Sequence, residues 1–168
     1  MPGRVWSLIL VLVCALASPL AGAAGMYQVE PGKRVQLEDD EGLLVVVVDS
    51  SVALDLVAMR KQGSAASAGV VRRSDPGRNF QLFKVKAGRH AWESVRTPSG
   101  QTFKLEDNPE FHFDVPAGRI AYAGDLVFEP TEAGAAYIHT VNHGLAAIDW
   151  LESEHANLYQ RYPLTYSG

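Results

Sequence analysis

Apolar and polar residues alternate with a period of two on both sides of a short turn in residues 111–130. This period is typical of strands that bury one face. Pro116 presets φ for a turn and Gly118 can adopt a positive φ, so residues 116–119 are expected to join the two strands as a hairpin. The apolar positions of this hairpin are Phe111, Phe113, Val115, Ile120, Tyr122, Leu126 and Phe128.

Short strand-like segments separated by turn residues also fill the rest of the middle of the chain. Residues 43–48 are continuously apolar and β-branched, which predicts a central strand covered on both faces. Residues 52–59 are predicted to bury the even-numbered positions, with Asp55 on the opposite face. Residues 62–69 are small or polar and predict a loop. Further strands are predicted in residues 27–37 (two short ones), 70–73, 80–85, 90–95, 103–105 and 136–141.

These segments together predict an all-β fold, an antiparallel β-sandwich. Long helical patterns between the strands are absent from the sequence, which disfavours a parallel α/β fold. The predicted core consists of Val46, Leu56, Phe83, Phe113, Ile120, Tyr122 and Phe128.

The C-terminal region has a different period. Ile148, Leu151 and Leu158 recur at helical spacing, and Pro163 follows the pattern. One amphipathic helix, at about residues 145–162, is therefore predicted to pack this stripe on the sandwich.

The N-terminus resembles a secretory signal peptide. Arg4 precedes an apolar run that is too short to span a membrane, and small residues follow at 21–23. We expect residues 1–23 to be cleaved, leaving residues 24–168 as a single periplasmic or secreted domain without stable membrane insertion. Cys14, the single cysteine of the sequence, would leave with the signal peptide, so no disulfide is expected.

The charge of the chain gives no support to nucleic-acid binding. The sequence has 15 Lys and Arg against 19 Asp and Glu, and no dense basic block. Arg72, Arg73 and Arg78 lie close together, but we expect them to form a solvated loop rim. No nucleic-acid partner is therefore predicted.

Two segments carry a resemblance to a known group of proteins. Residues 82–90 (LFKVKAGRH) and residues 111–126 (FHFDVPAGRIAYAGDL) share a turn pattern. Over residues 82–128 the chain resembles small exported bacterial β-sandwich proteins, transthyretin-like or immunoglobulin-like and largely uncharacterised. Many of these are lipoproteins, whereas here Val13 precedes Cys14 inside the apolar run and no lipid attachment is expected. The resemblance implies a β-sandwich in the cell envelope and no catalytic residues.

Three groups of residues are candidates for a functional site. His139 and His143 are four residues apart, a spacing found in metal sites. A polar cluster is predicted on one face of the hairpin, and exposed aromatic residues near the C-terminus could contact a partner. The polar cluster consists of His112, Asp114 and Asp125, and the partner surface of Tyr159, Tyr162 and Tyr166.

The sequence favours a non-enzymatic exported envelope protein that acts as a binding or assembly module. The partner would be an unknown envelope protein or a small ligand, and no cofactor is implied. One alternative is a periplasmic protein that binds a small ligand or a metal through His139 and His143. Another is a hydrolase whose site is assembled in space, because no catalytic spacing is present in the sequence.

Overall fold

The computed structural model describes residues 26–64 and 67–168. The predicted signal peptide, residues 1–23, lies outside the described residues, as do residues 65 and 66 of the predicted loop. The strands are β1 (Tyr27–Gln28), β2 (Glu41–Ser50), β3 (Leu54–Lys61), β4 (Ser67–Ser74), β5 (Gly77–Lys86), β6 (Gly88–Arg96), β7 (Thr102–Lys104), β8 (His112–Val115), β9 (Ile120–Pro130), β10 (Ala136–Val141) and β11 (Leu164–Tyr166). The helices are α1 (Gly144–Glu154) and α2 (Ala156–Arg161), and a 3₁₀ turn spans Pro109–Phe111.

The strands form two sheets, which confirms the mostly β character expected from the sequence. Sheet 1 has the order β1-β5-β2-β9-β10, with β11 also pairing with β9. Sheet 2 has the order β4-β3-β6-β7, with β8 also pairing with β6. The second strand predicted in residues 27–37 does not form. That segment packs Val35 and Leu37 against sheet 1 without strand pairing.

The predicted hairpin at residues 111–130 is wrong in its pairing. β8 pairs with β6 in sheet 2, whereas β9 lies in sheet 1 and runs parallel to β2. The turn is where it was expected, with Gly118 at a φ of +68°, but it crosses from one sheet to the other. The predicted antiparallel arrangement is also wrong for β9 with β11, which are parallel. β9 is buried on both faces along most of its length and therefore belongs beside β2 in the middle of a covered sheet.

The apolar residues form two cores instead of the single predicted one. Between the sheets, Val46, Phe83, Phe113 and Phe128 are buried together with Trp92. On the other side of sheet 1, the helices cover a second set of residues. That set includes Leu43, Val45, Val47, Ile120, Tyr122, Ala147, Leu151 and Leu158.

Leu56 is half-buried and belongs to neither core, so its assignment to the buried face is wrong. β3 instead buries Leu54, Val57 and Met59. In the β3–β4 ladder, Leu54 pairs with Ser74 and Leu56 pairs with Arg72, but Asp55 has no partner. The residue of β4 that lies between those partners, Arg73, has a φ of +54°. The irregular backbone at this point breaks the period of two on which the prediction depended.

One extra residue in β9 determines which side chains reach each core. Tyr122 is paired with Val45 and Asp125 with Val47, so three steps along β9 match two along β2. This is the geometry of a β-bulge, and Gly124 adopts a φ of +91° within it. Before the bulge, the even-numbered Tyr122 faces the helices, whereas after it Phe128 faces sheet 2.

The predicted single C-terminal helix is two helices that meet at His155. The backbone of His155 has a φ of −133°, which interrupts the helical hydrogen-bonding pattern between α1 and α2. Leu151 and Leu158 are buried as predicted, but Ala147 takes the place expected for Ile148, which is half-buried. In the described part of the chain, neither helix has the length and apolar character required to cross a bilayer.

The bulge supplies a test of the fold. A Cβ atom on Gly124 would lie 3.2 Å from the backbone oxygen of Val141, whereas one on Gly134, which has a φ of +78°, would meet no atom within 4 Å. The left-handed conformation costs a residue with a side chain ~1–2 kcal/mol. We therefore expect Gly134→Ala to lose about that much stability and Gly124→Ala to lose clearly more. Urea unfolding of both variants measures the difference, and equal losses would contradict the close approach at the bulge.

Candidate functional site

A groove lies on the outer face of sheet 2. Arg60 of β3, Ala91 of β6 and His112 of β8 are in register across three adjacent strands. Their chain neighbours Met59, Trp92 and Phe113 point into the core, so these three residues point outward. The methyl group of Ala91 stands between two long side chains and leaves a hollow of about 410 Å³, which we call the Ala91 groove.

The guanidinium group of Arg60 is fixed on one side of the Ala91 groove. Its Nη2 atom lies 2.5 Å from Oε1 of Glu93, and its Nη1 atom lies 3.2 Å from Oε2 of Glu106. The hydrogen bond and charge of Glu93 raise the pKa of Arg60 above its ordinary value. Two carboxylates thus hold this cation, and the carboxylate of Glu106 forms part of the groove wall.

The histidines of the groove are held by backbone carbonyl groups. His112 Nε2 donates to the oxygen of Glu106 at 3.0 Å, because a carbonyl can only accept. His90 Nε2 donates to the oxygen of Lys86 at 2.9 Å, and its ring stacks on Phe113. Burial lowers the pKa of His90, which favours its neutral form. In a neutral imidazole with Nε2 protonated, Nδ1 is an acceptor.

The rim of the groove is polar and carries both signs of charge. Arg89 and Asp107 are exposed there, and the β3–β4 loop contributes Gln62 and Ser64. The formal charges of the lining residues Arg60, Arg89, Glu106 and Asp107 sum to zero, and Glu93, which also holds Arg60, adds one negative charge. Volumes of about 300–1,000 Å³ are usual for small-molecule sites, and the Ala91 groove falls in that range.

A second polar feature lies on the opposite side of the molecule, beside the start of α1. The carboxylate of Asp125 is almost fully buried. It accepts a hydrogen bond from the Tyr122 hydroxyl at 2.5 Å and lies 2.9 Å from Nδ1 of His143 and 3.0 Å from Nε of Arg78. We call these four residues the Asp125 cluster. Burial and the hydrogen bond to Asp125 raise the pKa of Tyr122 far above its ordinary value, so the hydroxyl keeps its proton.

The geometry of the Asp125 cluster assigns the proton of His143. An ionised carboxylate only accepts, so Nδ1 carries the proton that faces Asp125, and Nε2 has the lone pair in the neutral ring. Nη2 of Arg78 lies 3.2 Å from Nδ1 but has a better acceptor in Asp49, also at 3.2 Å. The backbone N–H of His143 donates to the Tyr122 hydroxyl at 3.0 Å. The cluster thus connects the N-terminus of α1 to sheet 1.

This arrangement orients an imidazole but supplies no attacking group. Within residues 26–64 and 67–168, no serine, threonine or cysteine side chain forms a hydrogen bond with His143. The acid–base capacity of His143 is therefore not coupled to a nucleophile in the described structure. The contacts of the Asp125 cluster favour a role in holding α1 in place.

The structure separates the residues of the predicted polar cluster. His112 and Asp114 belong to β8 in sheet 2, whereas Asp125 belongs to β9 and faces the helix side of sheet 1. His112 lies in the Ala91 groove, and Asp114 is exposed opposite Arg89. The predicted cluster assumed that β8 and β9 pair, and it fails because they lie in different sheets.

The two histidines proposed as metal ligands lie in different settings. His139 is in β10 opposite Val127, whereas His143 is held by the Asp125 cluster. No three His, Cys, Asp or Glu side chains are placed to hold a metal ion anywhere in the described ranges. The spacing of four residues does not bring these side chains to one helix face, because β10 ends before α1 begins.

The predicted aromatic partner surface is not a single exposed patch. Tyr162 is buried, and its hydroxyl donates to the backbone oxygen of Val35 at 3.3 Å. Tyr159 is half-buried against the helix-side core, whereas Tyr166 is 46% exposed beside Tyr122. The assignment of Tyr162 to an exposed surface is therefore wrong, because α2 turns this residue toward sheet 1.

Several residues of both polar features were not identified from the sequence. Arg60, Ala91 and Glu106 are brought together by strand register and a loop, which no local spacing in the sequence reveals. Arg78 was assigned to a solvated rim but contacts the buried Asp125. The sequence does contain one signal for this contact: Asp125 is an acidic residue in an otherwise apolar stretch of β9, and a buried carboxylate needs a partner.

Comparison with known proteins identified no relative of this chain. No protein-family model, curated protein or solved structure matches this chain. The resemblance to exported bacterial β-sandwich proteins therefore stays a prediction.

The two carboxylates that contact Arg78 provide a matched pair of variants. Asp125 is buried, whereas the Asp49 side chain is 33% exposed. Removing one partner of a buried ion pair typically costs ~3–5 kcal/mol, and an exposed pair contributes ~0–1 kcal/mol. We expect Asp125→Ala to lose several kcal/mol of unfolding free energy and Asp49→Ala to stay near wild type. Chemical denaturation decides, and a near-neutral Asp125→Ala would show that the cluster does not hold α1.

Proposed function

We propose that the protein is an exported, non-enzymatic binding module of the cell envelope that holds a small ligand in the Ala91 groove. The observation that carries this proposal is the row Arg60, Ala91 and His112, which places a small residue between two fixed polar side chains on an open sheet face. A binding site needs polar groups that are already in position, since ordering them on binding costs free energy.

The contacts around the groove meet this requirement. Arg60 is held by two carboxylates, and His112 is held by the carbonyl group of Glu106. The floor belongs to three paired strands, which are the rigid part of a β protein. The loop between β7 and β8, which carries Glu106 and Asp107, supplies variable groups at the rim, as binding loops on rigid scaffolds do.

The sequence of the N-terminal region supports a location in the envelope. Residues 1–23 have the pattern of a secretory signal, and the remaining chain has no cysteine. A domain exported in this way would reach the periplasm or the exterior, where a small soluble ligand has access to an open groove.

Filling the groove tests the proposal. Ala91→Leu should place a branched side chain in the hollow, whereas Ala133→Leu makes the same change in the exposed β9–β10 turn. We would titrate the full-length protein with a panel of small probes, namely glucose, acetate, methylammonium and glycine, and follow amide resonances by NMR. At least one probe should shift resonances around Ala91 and His112, and Ala91→Leu should weaken that probe at least tenfold.

The control variant should bind like the wild type. Should none of the probes perturb the groove at millimolar concentrations, or should Ala91→Leu bind as well as the wild type, the Ala91 groove is not a ligand site. Gln62→Ala, on the rim, serves as a second variant if Ala91→Leu does not fold.

A further inference from the structure

We infer that the Ala91 groove selects an uncharged, polyhydroxylated ligand of the size of a monosaccharide, an inference that rests on the function proposed above. The observation behind it is that Arg60 and Glu106, the charged residues of the groove wall, are paired with each other, and that the exposed rim carries one charge of each sign, on Arg89 and Asp107. The chemical class follows from what remains available for a ligand.

An anionic ligand gains little from Arg60. Both terminal nitrogens of its guanidinium group face carboxylates, at 2.5 Å from Glu93 and 3.2 Å from Glu106. A phosphate or carboxylate group would have to displace one of them and would then lie beside the displaced negative charge. The rim offers Arg89, but Asp107 lies on the same rim.

A cationic ligand meets the opposite difficulty. Glu106 is engaged by Arg60, so a second cation at this carboxylate would be repelled by the guanidinium group. Arg89 adds a further positive charge at the rim. A charged ligand loses hydration on entering the groove. The wall charges are already paired, and Arg89 and Asp107 are exposed to solvent, where an ion pair contributes little, so both signs are disfavoured.

Hydroxyl groups fit the remaining donors and acceptors. The carboxylates of Glu106 and Asp107 accept hydrogen bonds, as does Nδ1 of His112 when its ring is neutral, and Gln62 offers an amide group that donates and accepts. A hydroxyl group both donates and accepts, so adjacent hydroxyls can bond to a mixed wall without any net charge. The Ala91 methyl at the floor can contact the C–H groups of a sugar ring.

The competing classes can be separated in one titration series. With the full-length protein, glucose should shift the amide resonances of Ala91 and its neighbours at millimolar concentrations. Acetate, methylammonium and glycine should bind at least tenfold more weakly. Raising NaCl from about 50 mM to about 500 mM should change the glucose affinity less than twofold, because screening acts on charged ligands.

A charge variant sharpens the test. Glu106→Gln keeps the shape of the wall but leaves Arg60 with one matched carboxylate, so acetate should bind several-fold more tightly to this variant than to the wild type. Ala133→Leu is the control and should behave as the wild type with every probe.

The outcomes distinguish the inference from the proposed function. If acetate, methylammonium or glycine binds the wild-type groove more tightly than glucose, the ligand class is wrong while the groove remains a binding site. If no probe binds there, the inference and the proposed function fail together. Strong salt dependence of glucose binding, or unchanged acetate affinity in Glu106→Gln, would overturn the charge-matching argument.

Discussion

The structure depends on the need to cover β9 and its parallel neighbour β2 on both faces. β2 is buried along nearly its whole length, and β9 is buried from Ile120 to Leu126. A two-sheet sandwich alone covers one face of such strands. The second face of sheet 1 is covered by α1, α2 and the segment that carries Val35 and Leu37. The C-terminal helices are therefore part of the core of this fold, since without them Leu43, Val45 and Val47 of β2 would face water.

The bulge at Gly124 connects this packing to the polar chemistry of the molecule. Because β9 gains one residue there, Asp125 faces the helix side, together with Tyr122 three residues earlier. Without the extra residue, the same carboxylate would face the interior between the two sheets. Its desolvation is offset on the helix side by Tyr122, His143 and Arg78. This one bulge thus determines two things. It sets the point along β9 at which even-numbered side chains stop facing the helices and start facing sheet 2, and it sets the point at which α1 is anchored.

The sequence predicted where strands lie better than it predicted which strands pair. The apolar patterns and the turn residues located β2, β5, β6, β8, β9 and β10, because these signals are local. Pairing is not local. β8 and β9 are joined by a turn with the expected positive φ at Gly118, yet they lie in different sheets. Leu56 and Tyr162 were misassigned for a related reason, since an irregular ladder and a break between helices change the exposed face without changing the apolar pattern. The predicted polar cluster was wrong because it assumed that β8 and β9 pair.

The two sheets differ in the chemistry that their outer faces can support. The outer face of sheet 1 is largely occupied by the helices, so a polar group there must be satisfied within the fold, as Asp125 is. Sheet 2 has no helix on its outer face among the described elements, and Arg60, Ala91 and His112 form a paired row that points away from the core. In such a row, the size of each side chain determines how far the surface rises or falls at that position. A residue as small as alanine between arginine and histidine makes a hollow at no cost to the core, since Met59, Trp92 and Phe113 keep the inner face intact. Outward-facing residues alone can therefore change the shape and charge of the Ala91 groove, whereas any change at the Asp125 cluster also alters the stability of the fold.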